Sequence, residues 1–365
     1  MTYCIGLMSG TSMDGIDAVL ARFDQRGHPS LVASHSLALP PTLLTELHRL
    51  CSPADNEIDR MGRADRAIAL CFAEAVQGLL AKTEIDAAQI AAIGSHGQTV
   101  RHHPDGRHAF TLQLGCPSTL AVASGIDVIA DFRRKDIALG GQGAPLVPAF
   151  HHSLFRASTP RLIVNIGGIA NLTCLNDQQV LGYDTGPGNT LMDAWCREHF
   201  QQSYDNGGQI AAGGQVNGAL LKRLLAHPYF AQPLPKSTGR ELFNLHWLHS
   251  QLGSLDAMPT EDVMATLLAL TVQSIAKCAQ NHAASGELYL CGGGAFNDEL
   301  VRQLTIALPD YQIDTTAALG LDPQLVEGVA FAWLAWRHLN GLPGNLPAVT
   351  GAAREAVLGG RYPAR

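Results

Sequence analysis

The sequence predicts an α/β protein of two similar lobes, and three observations carry that reading. A strand, a glycine-bearing turn and a second strand occur at Tyr3 to Phe23 and recur at Arg161 to Leu175. A third junction of strand and glycines, Cys291-Gly292-Gly293-Gly294, stands in the second half. The length, 365 residues, exceeds what one hydrophobic core usually covers, so a repeated plan implies two lobes. The first is placed at residues 1–135 with 338–365 completing it, and the second at 136–337.

The opening segment starts as an apolar strand, breaks at Ser9-Gly10-Thr11-Ser12-Met13-Asp14-Gly15, and resumes with Ile16, Ala18, Val19 and Leu20. A turn of this composition offers bare backbone N–H groups and hydroxyls, which a polyphosphate requires for close approach. Asp14 and Asp17 add carboxylates suited to Mg²⁺, directly or through water, while an ordinary hairpin turn with solvated acids is the competing reading. From Asn56 to Leu80 the apolar positions Ile58, Met61, Ala64, Ile68, Phe72, Val76 and Leu79 recur every three or four residues, an amphipathic helix. The apolar strand beginning at Ile90 runs into Ser95-His96-Gly97-Gln98-Thr99. Polar residues delivered to the carboxyl end of a strand stand where open α/β sheets bind ligands, so His96 and Gln98 are candidates to contact a polyol. A satisfied structural histidine is the alternative for His96. The strand at Ile126 to Ala130 ends in a charged stretch, Asp131 to Asp136, and a Gly/Pro-rich loop over 137–146. This reads as a rim that moves, with Arg133 able to pair with a substrate carboxylate.

In the second half the Gly167-Gly168 turn repeats the opening hairpin, and the stretch Leu181 to Trp195 follows. Gly186, Pro187 and Gly188 interrupt regular structure there, which places Asp184 at the mouth of a rigid turn. Asn189 or Thr190 then caps a helix with Leu191, Met192 and Trp195 on one face, its N-terminus aimed back at Asp184. A carboxylate beside backbone donors suits a catalytic base or an anion-handling loop; a simple turn cap is the alternative. Thr260 caps a long helix with Glu261 and Asp262 in its first turn. Gly292, Gly293 and Gly294 let backbone approach a flat ligand. The run Glu327 to Trp336 is a helix poor in charge, hence buried, with Glu327 in its first turn.

Composition narrows the partner. The net charge is −7 and the basic cluster Arg133-Arg134-Lys135 stands alone, which favours a small molecule over nucleic acid. The N-terminus has no basic n-region, and no window is read as reaching the roughly 18 apolar residues of a membrane span, so a soluble cytoplasmic protein is expected. Eight cysteines without a C-x-x-C pair imply buried thiols, and the fifteen histidines show no metal-ligand spacing.

The segments GLMSGTSMDGIDAVLA, IGSHGQTVRHHP, DFRRKDIALGGQGAPLVP, NIGGIANLT, YDTGPGNTLMDAW, LCGGGAFN and EGVAFAWLA resemble the successive signatures of the anhydro-N-acetylmuramic acid kinase family. That family of bacterial cell-wall-recycling enzymes belongs to the superfamily of sugar kinases, acetate kinase, Hsp70 and actin. The resemblance implies an actin-like, ribonuclease H-like fold with a central cleft for ATP and substrate, and a homodimer. It implies that Asp184 is the base for a water that opens a 1,6-anhydro sugar while the ATP γ-phosphate passes to O6. It also implies that Gly10 to Asp17 hold the ATP phosphates with Mg²⁺ at Asp14 or Asp17. Gly167, Gly168 and Asn171 would stand opposite, Gly292 to Gly294 near the adenosine, and His96, Gln98, Arg133 and Glu327 around the sugar. A base must be ionised, so Asp184 is expected to keep a pKa below neutrality. An ordinary sugar or carboxylate kinase on the same scaffold, and an ATP-gated chaperone-like module, are the alternatives.

Overall fold

In the computed structural model, which describes every residue except 11, 12, 14, 158, 177–179, 235, 240 and 254–257, the chain divides into two units, Met1–Leu154 with Leu325–Arg365, and Phe155–Gln324. The first is built on β1 (Thr2–Ser9), β2 (Ile16–Phe23), β3 (Pro29–Leu37), β4 (Ile90–His103), β5 (Phe110–Leu114) and β6 (Val128–Ala130). Its sheet runs β3-β2-β1-β4-β6, with the short strand Gly360–Tyr362 beyond β6 and with β5 against β4. The first three strands form an antiparallel meander, whereas β4 lies parallel to β1 and β6 parallel to β4. Antiparallel neighbours close through short turns, but parallel ones need crossovers, which the helices Glu57–Leu80 and Pro117–Ser124 supply. Cys4, Ile5 and Leu7 are all fully buried, as befits a central strand covered on both faces.

Helix Val326–Leu339 lies directly on this sheet, and glycine makes the approach possible. A Cβ at Gly6 would overlap the Gly328 carbonyl oxygen and stand 2.6 Å from the Ala332 nitrogen, and one at Gly94 would overlap the Phe331 carbonyl. This explains why the helix is poor in charge: its residues from Gly328 to Trp336 are buried. It also moves the boundaries expected from sequence. Residues 325–337 and 136–154 belong to the first unit, because the helix packs on β1, β2 and β4.

The second unit carries β7 (Arg161–Ile166), β8 (Ile169–Leu175), β9 (Val180–Pro187), β10 (Gly286–Cys291) and β11 (Tyr311–Thr315) in the order β9-β8-β7-β10-β11. Here too a three-stranded antiparallel meander is extended from its first strand by two parallel ones. The same order in both units is the ribonuclease H-like arrangement. Helix Thr260–His282 runs through the core of the second unit, with Val263, Met264, Leu267, Leu268, Leu270 and Ile275 all nearly inaccessible. By length and composition it could cross a membrane, contrary to the reading that no window is apolar enough, but most of it is buried within the unit. Its cap position is Pro259, not Thr260, which is the first helical residue. All eight cysteines are free thiols, six of them buried.

Gly6→Ala tests the backbone-to-backbone contact. It is expected to cost about 2–3 kcal/mol by overpacking, seen as a drop of several degrees in Tm by calorimetry; an unchanged Tm would show that the helix yields freely.

Candidate active site

Register across the second sheet sets three polar residues in a row. Asn165 of β7 lies opposite Asn171 of β8, which lies opposite Asp184 of β9. Directly opposed residues share a face of the sheet. Asp184 therefore sits inside a strand, not at the mouth of a turn. β9 is an edge strand, where Pro187 removes no ladder hydrogen bond, so pairing continues through Gly186 and Pro187.

Tyr229, Lys236 and Thr238 close over Asp184. Asp184 Oδ2 accepts the Thr238 N–H (2.9 Å), its own N–H donates to the Lys236 carbonyl (3.3 Å), and its carbonyl accepts the Tyr229 hydroxyl (2.7 Å). The Lys236 ammonium stands 4.6 Å from the Tyr229 ring centroid. Burial pushes the Asp184 carboxyl up to about 7; the Thr238 N–H and Lys236 oppose the shift and Glu241 adds to it. The shift is upward from the ordinary carboxylate value, because dehydration outweighs one backbone bond and one half-buried cation. Thr238 Oγ1 is buried with no hydrogen-bond partner among the described residues, an unused polar atom on the residue that holds the carboxylate. Sequence reasoning missed this segment, which has no helical or strand period. Its one signal is Pro228, Pro233, Pro235 and Gly239 spaced around Lys236, the composition of a rigid irregular loop.

Two of the three glycine sites meet in one corner of the second unit. The Gly167 carbonyl accepts the Asn189 N–H (2.8 Å), and the Gly168 carbonyl accepts those of Gly188 (2.9 Å) and Thr190 (3.0 Å). Helix Thr190–His199, with Asn189 at its cap position, spends these amides on the glycine turn and not on Asp184. A trans peptide points its N–H opposite to its C=O, so the Gly168 N–H faces away from that helix. A Cβ at Gly167 would meet nothing nearer than 3.6 Å, and one at Gly293 nothing nearer than Asn189 Nδ2 at 4.0 Å. Gly292 and Gly294 are the close-packed members: side chains there would overlap Asn165 Oδ1 and the Ile166 side chain.

In the first unit, Thr11, Ser12 and Asp14 lie outside the described residues. The buried Met13 donates its N–H to the Gly10 carbonyl (3.1 Å). Gln98, fully buried, accepts the Ser9 hydroxyl (2.7 Å) and donates to the Gly10 carbonyl (3.2 Å). His96 Nε2 receives Arg133 Nη2 (2.8 Å) and Nε (3.2 Å). A guanidinium only donates, so the ring proton belongs on Nδ1, 3.3 Å from the Ser9 carbonyl. Burial, then Arg133, draw the His96 pKa down to about 3, and the ring is neutral. Two of the four residues expected at the sugar, His96 and Gln98, thus hydrogen-bond the backbone and side chain at the start of the first glycine turn.

Arg133 lies on helix Phe132–Ala138 and also donates Nη1 to the Gly143 carbonyl (2.8 Å). Burial lowers its pKa to about 10 against the pull of Glu327 and Asp136. The loop expected to move is tied down: Gly143 N–H reaches Asp136 Oδ2 (2.8 Å), Gln142 N–H the Thr350 carbonyl (2.7 Å), and Ala353 N–H the Leu139 carbonyl (2.8 Å). Glu327 opens helix Val326–Leu339; burial raises its pKa, Arg133 draws it back, and Asp17 pushes it further. Asp17 accepts the Ser36 hydroxyl at 2.6 Å. Asp17, Arg133 and Glu327 form one charged cluster, with His96 against Arg133. Among the described residues no group of three or more His, Cys, Asp or Glu is arranged for a metal.

Two ribonuclease H-like units in one chain, with glycine turns at their strand ends, define the actin-like class of α/β proteins. Within it, the chain belongs to the anhydro-N-acetylmuramic acid kinase family, whose model matches residues 2–364. Relatives named anhydro-N-acetylmuramic acid kinase from Shewanella sp. (strain ANA-3) and Shewanella denitrificans are each 59% identical over 366 residues, covering 100% of this chain and 99% of theirs. That of Shewanella oneidensis is 58% identical over the same span.

The raised Asp184 pKa makes a stability prediction. Unfolded, the carboxyl ionises near its ordinary 3.8, and folded near 7, so its ionisation destabilises the native state progressively between those values and fully above them. Asp184→Asn should therefore unfold at a higher temperature than the parent at pH 8, and the two should converge below about pH 4. Identical Tm values at pH 8 would remove the assigned burial.

Proposed function

We propose that this protein opens 1,6-anhydro-N-acetylmuramic acid with water and phosphorylates O6 from ATP, giving N-acetylmuramic acid 6-phosphate for cell-wall recycling. The observation that carries the mechanism is Asp184, a half-buried carboxyl lifted to about 7, the proton affinity a general base needs at neutral pH. In the proposed step the water oxygen bonds to C1 and its proton passes to Asp184. The C1–O6 bond breaks, and O6 takes the γ-phosphoryl group as ADP leaves. The Thr238 N–H orients the carboxylate and Lys236 keeps it ionisable. The Thr238 hydroxyl is left to hold the water or a sugar hydroxyl.

The adjoining glycines support a nucleotide reading. Gly167, where a Cβ would meet nothing nearer than 3.6 Å, leaves an approachable backbone for phosphate oxygens at the Gly167-Gly168 turn, and Gly292 to Gly294, packed on the same turn, offer a flat floor for the adenosine. Asn171, across from Asp184, stands between these and the base. In the first unit, Gly10 to Asp17 are likewise assigned to phosphate in this reading. Mg²⁺ carried with ATP would be held by Asp17 or Asp14, the two acids that the sequence offers beside the first glycine turn. Bound there, it would offset phosphate charge. Arg133 and Glu327 are assigned to the sugar, with His96 and Gln98 fixing the turn behind them. An ATP-dependent enzyme of small-molecule metabolism works in the cytoplasm, and the resemblance implies a homodimer.

Turnover with Mg-ATP in ¹⁸O-labelled water is expected to give a product that has gained one phosphate and one labelled oxygen. Gain of phosphate alone would point to an ordinary sugar kinase. Asp184→Asn should lower kcat by about 10³-fold, and a retained rate would sink the base assignment. Lys236→Met removes a cation that favours the ionised base, so the acidic limb of the kcat/KM profile should move upward in pH.

A further inference from the structure

We infer that Asp136 is a positioning residue for the reaction, holding the Arg133 guanidinium in place through the backbone of Gly143; the inference rests on the sugar-side role of Arg133 proposed above. Asp136 is completely buried, and both its oxygens accept: Oδ2 from the Gly143 N–H (2.8 Å), Oδ1 from Asn345 Nδ2 (2.7 Å) and the Thr350 hydroxyl (2.8 Å). All three donors are neutral. The nearby cation, Arg133, feels this carboxylate across space, while its Nη1 donates to the carbonyl of the same Gly143 whose N–H Asp136 holds. Gly143 is thus pinned from one side by Asp136 and pins Arg133 on the other. It does so at φ +68, where a side chain would also press Ile137 Cγ1 at 2.9 Å.

The consequence is electrostatic as well as steric. Among the described residues the hydrogen bonds of Arg133 go to neutral acceptors, His96 Nε2 and the Gly143 carbonyl, and not to a carboxylate. Glu327, and then Asp136 one peptide away, act as countercharges that steady the cation in a dehydrated place, with no hydrogen bond from either to its donors among the described residues. The support comes from far along the chain. Asn345 Oδ1 also accepts the Ala356 N–H (2.7 Å), and Thr350 receives Gln142, so residues 345–356 brace the arginine.

The test is a double-mutant cycle on the full-length protein with Mg-ATP and the anhydro sugar. Asp136→Asn sets an amide NH₂ against a donor, and should lower kcat/KM for the sugar about 100-fold by misplacing Arg133. Arg133→Lys should lower it comparably, and the double variant should fall no more than about threefold below the worse single one, since both changes remove the same held guanidinium. Thr350→Val, which leaves Asp136 two of its three donors, should lose about tenfold, with Thr350→Ser restoring the rate. If Asp136→Asn does not fold, Thr350→Val with Arg133→Lys performs the same cycle. Losses that multiply would assign Asp136 to fold stability alone and overturn the inference. A full rate in Arg133→Lys would overturn the role of Arg133 itself.

Discussion

Each unit depends on one strand that is paired on both sides, antiparallel to its hairpin partner and parallel to its other neighbour. In the first unit this strand is β1, between β2 and β4; in the second it is β7, between β8 and β10. The antiparallel side produces a glycine turn at the strand's carboxyl end, and the parallel side brings a second carboxyl end to the same edge of the sheet. That geometry puts Gln98 of β4 beside Ser9 and Gly10, and Cys291, at the entry to Gly292, beside Asn165. Gly10 and Gln98, 88 positions apart, and Asn165 and Cys291, far apart in sequence too, are thus brought together by parallel pairing.

Dehydration then decides what the charged groups at those edges do. Asp184 receives one backbone hydrogen bond and a cation, which do not offset its burial, so it holds a proton near neutral pH. Asp136 takes another course, with a donor for each oxygen and a third besides. The two carboxyls differ in how their oxygens are held, Asp184 by one backbone donor and Asp136 by three donors. His96 follows the same logic with the opposite sign, since burial and an adjacent guanidinium keep it neutral and make it a strut beneath the first turn.

Much of this was legible in the sequence, for local reasons. Turn chemistry and apolar period reside in neighbouring residues, so the hairpins around Gly10–Gly15 and Gly167-Gly168, the helix to Leu80 and the buried helix after Glu327 could be read directly, as could the family. Asp184 stood out because glycines and a proline follow it. What the tertiary structure decided is where each polar group finds its partner. Asp184 lies in a strand because edge pairing tolerates Pro187, and its carboxylate is held by Thr238, 54 positions away. Asp136 is held by Thr350, 214 positions away. No local pattern encodes such pairs, because burial and the choice of donor arise only when the sheet and its covering segments have closed around the side chain.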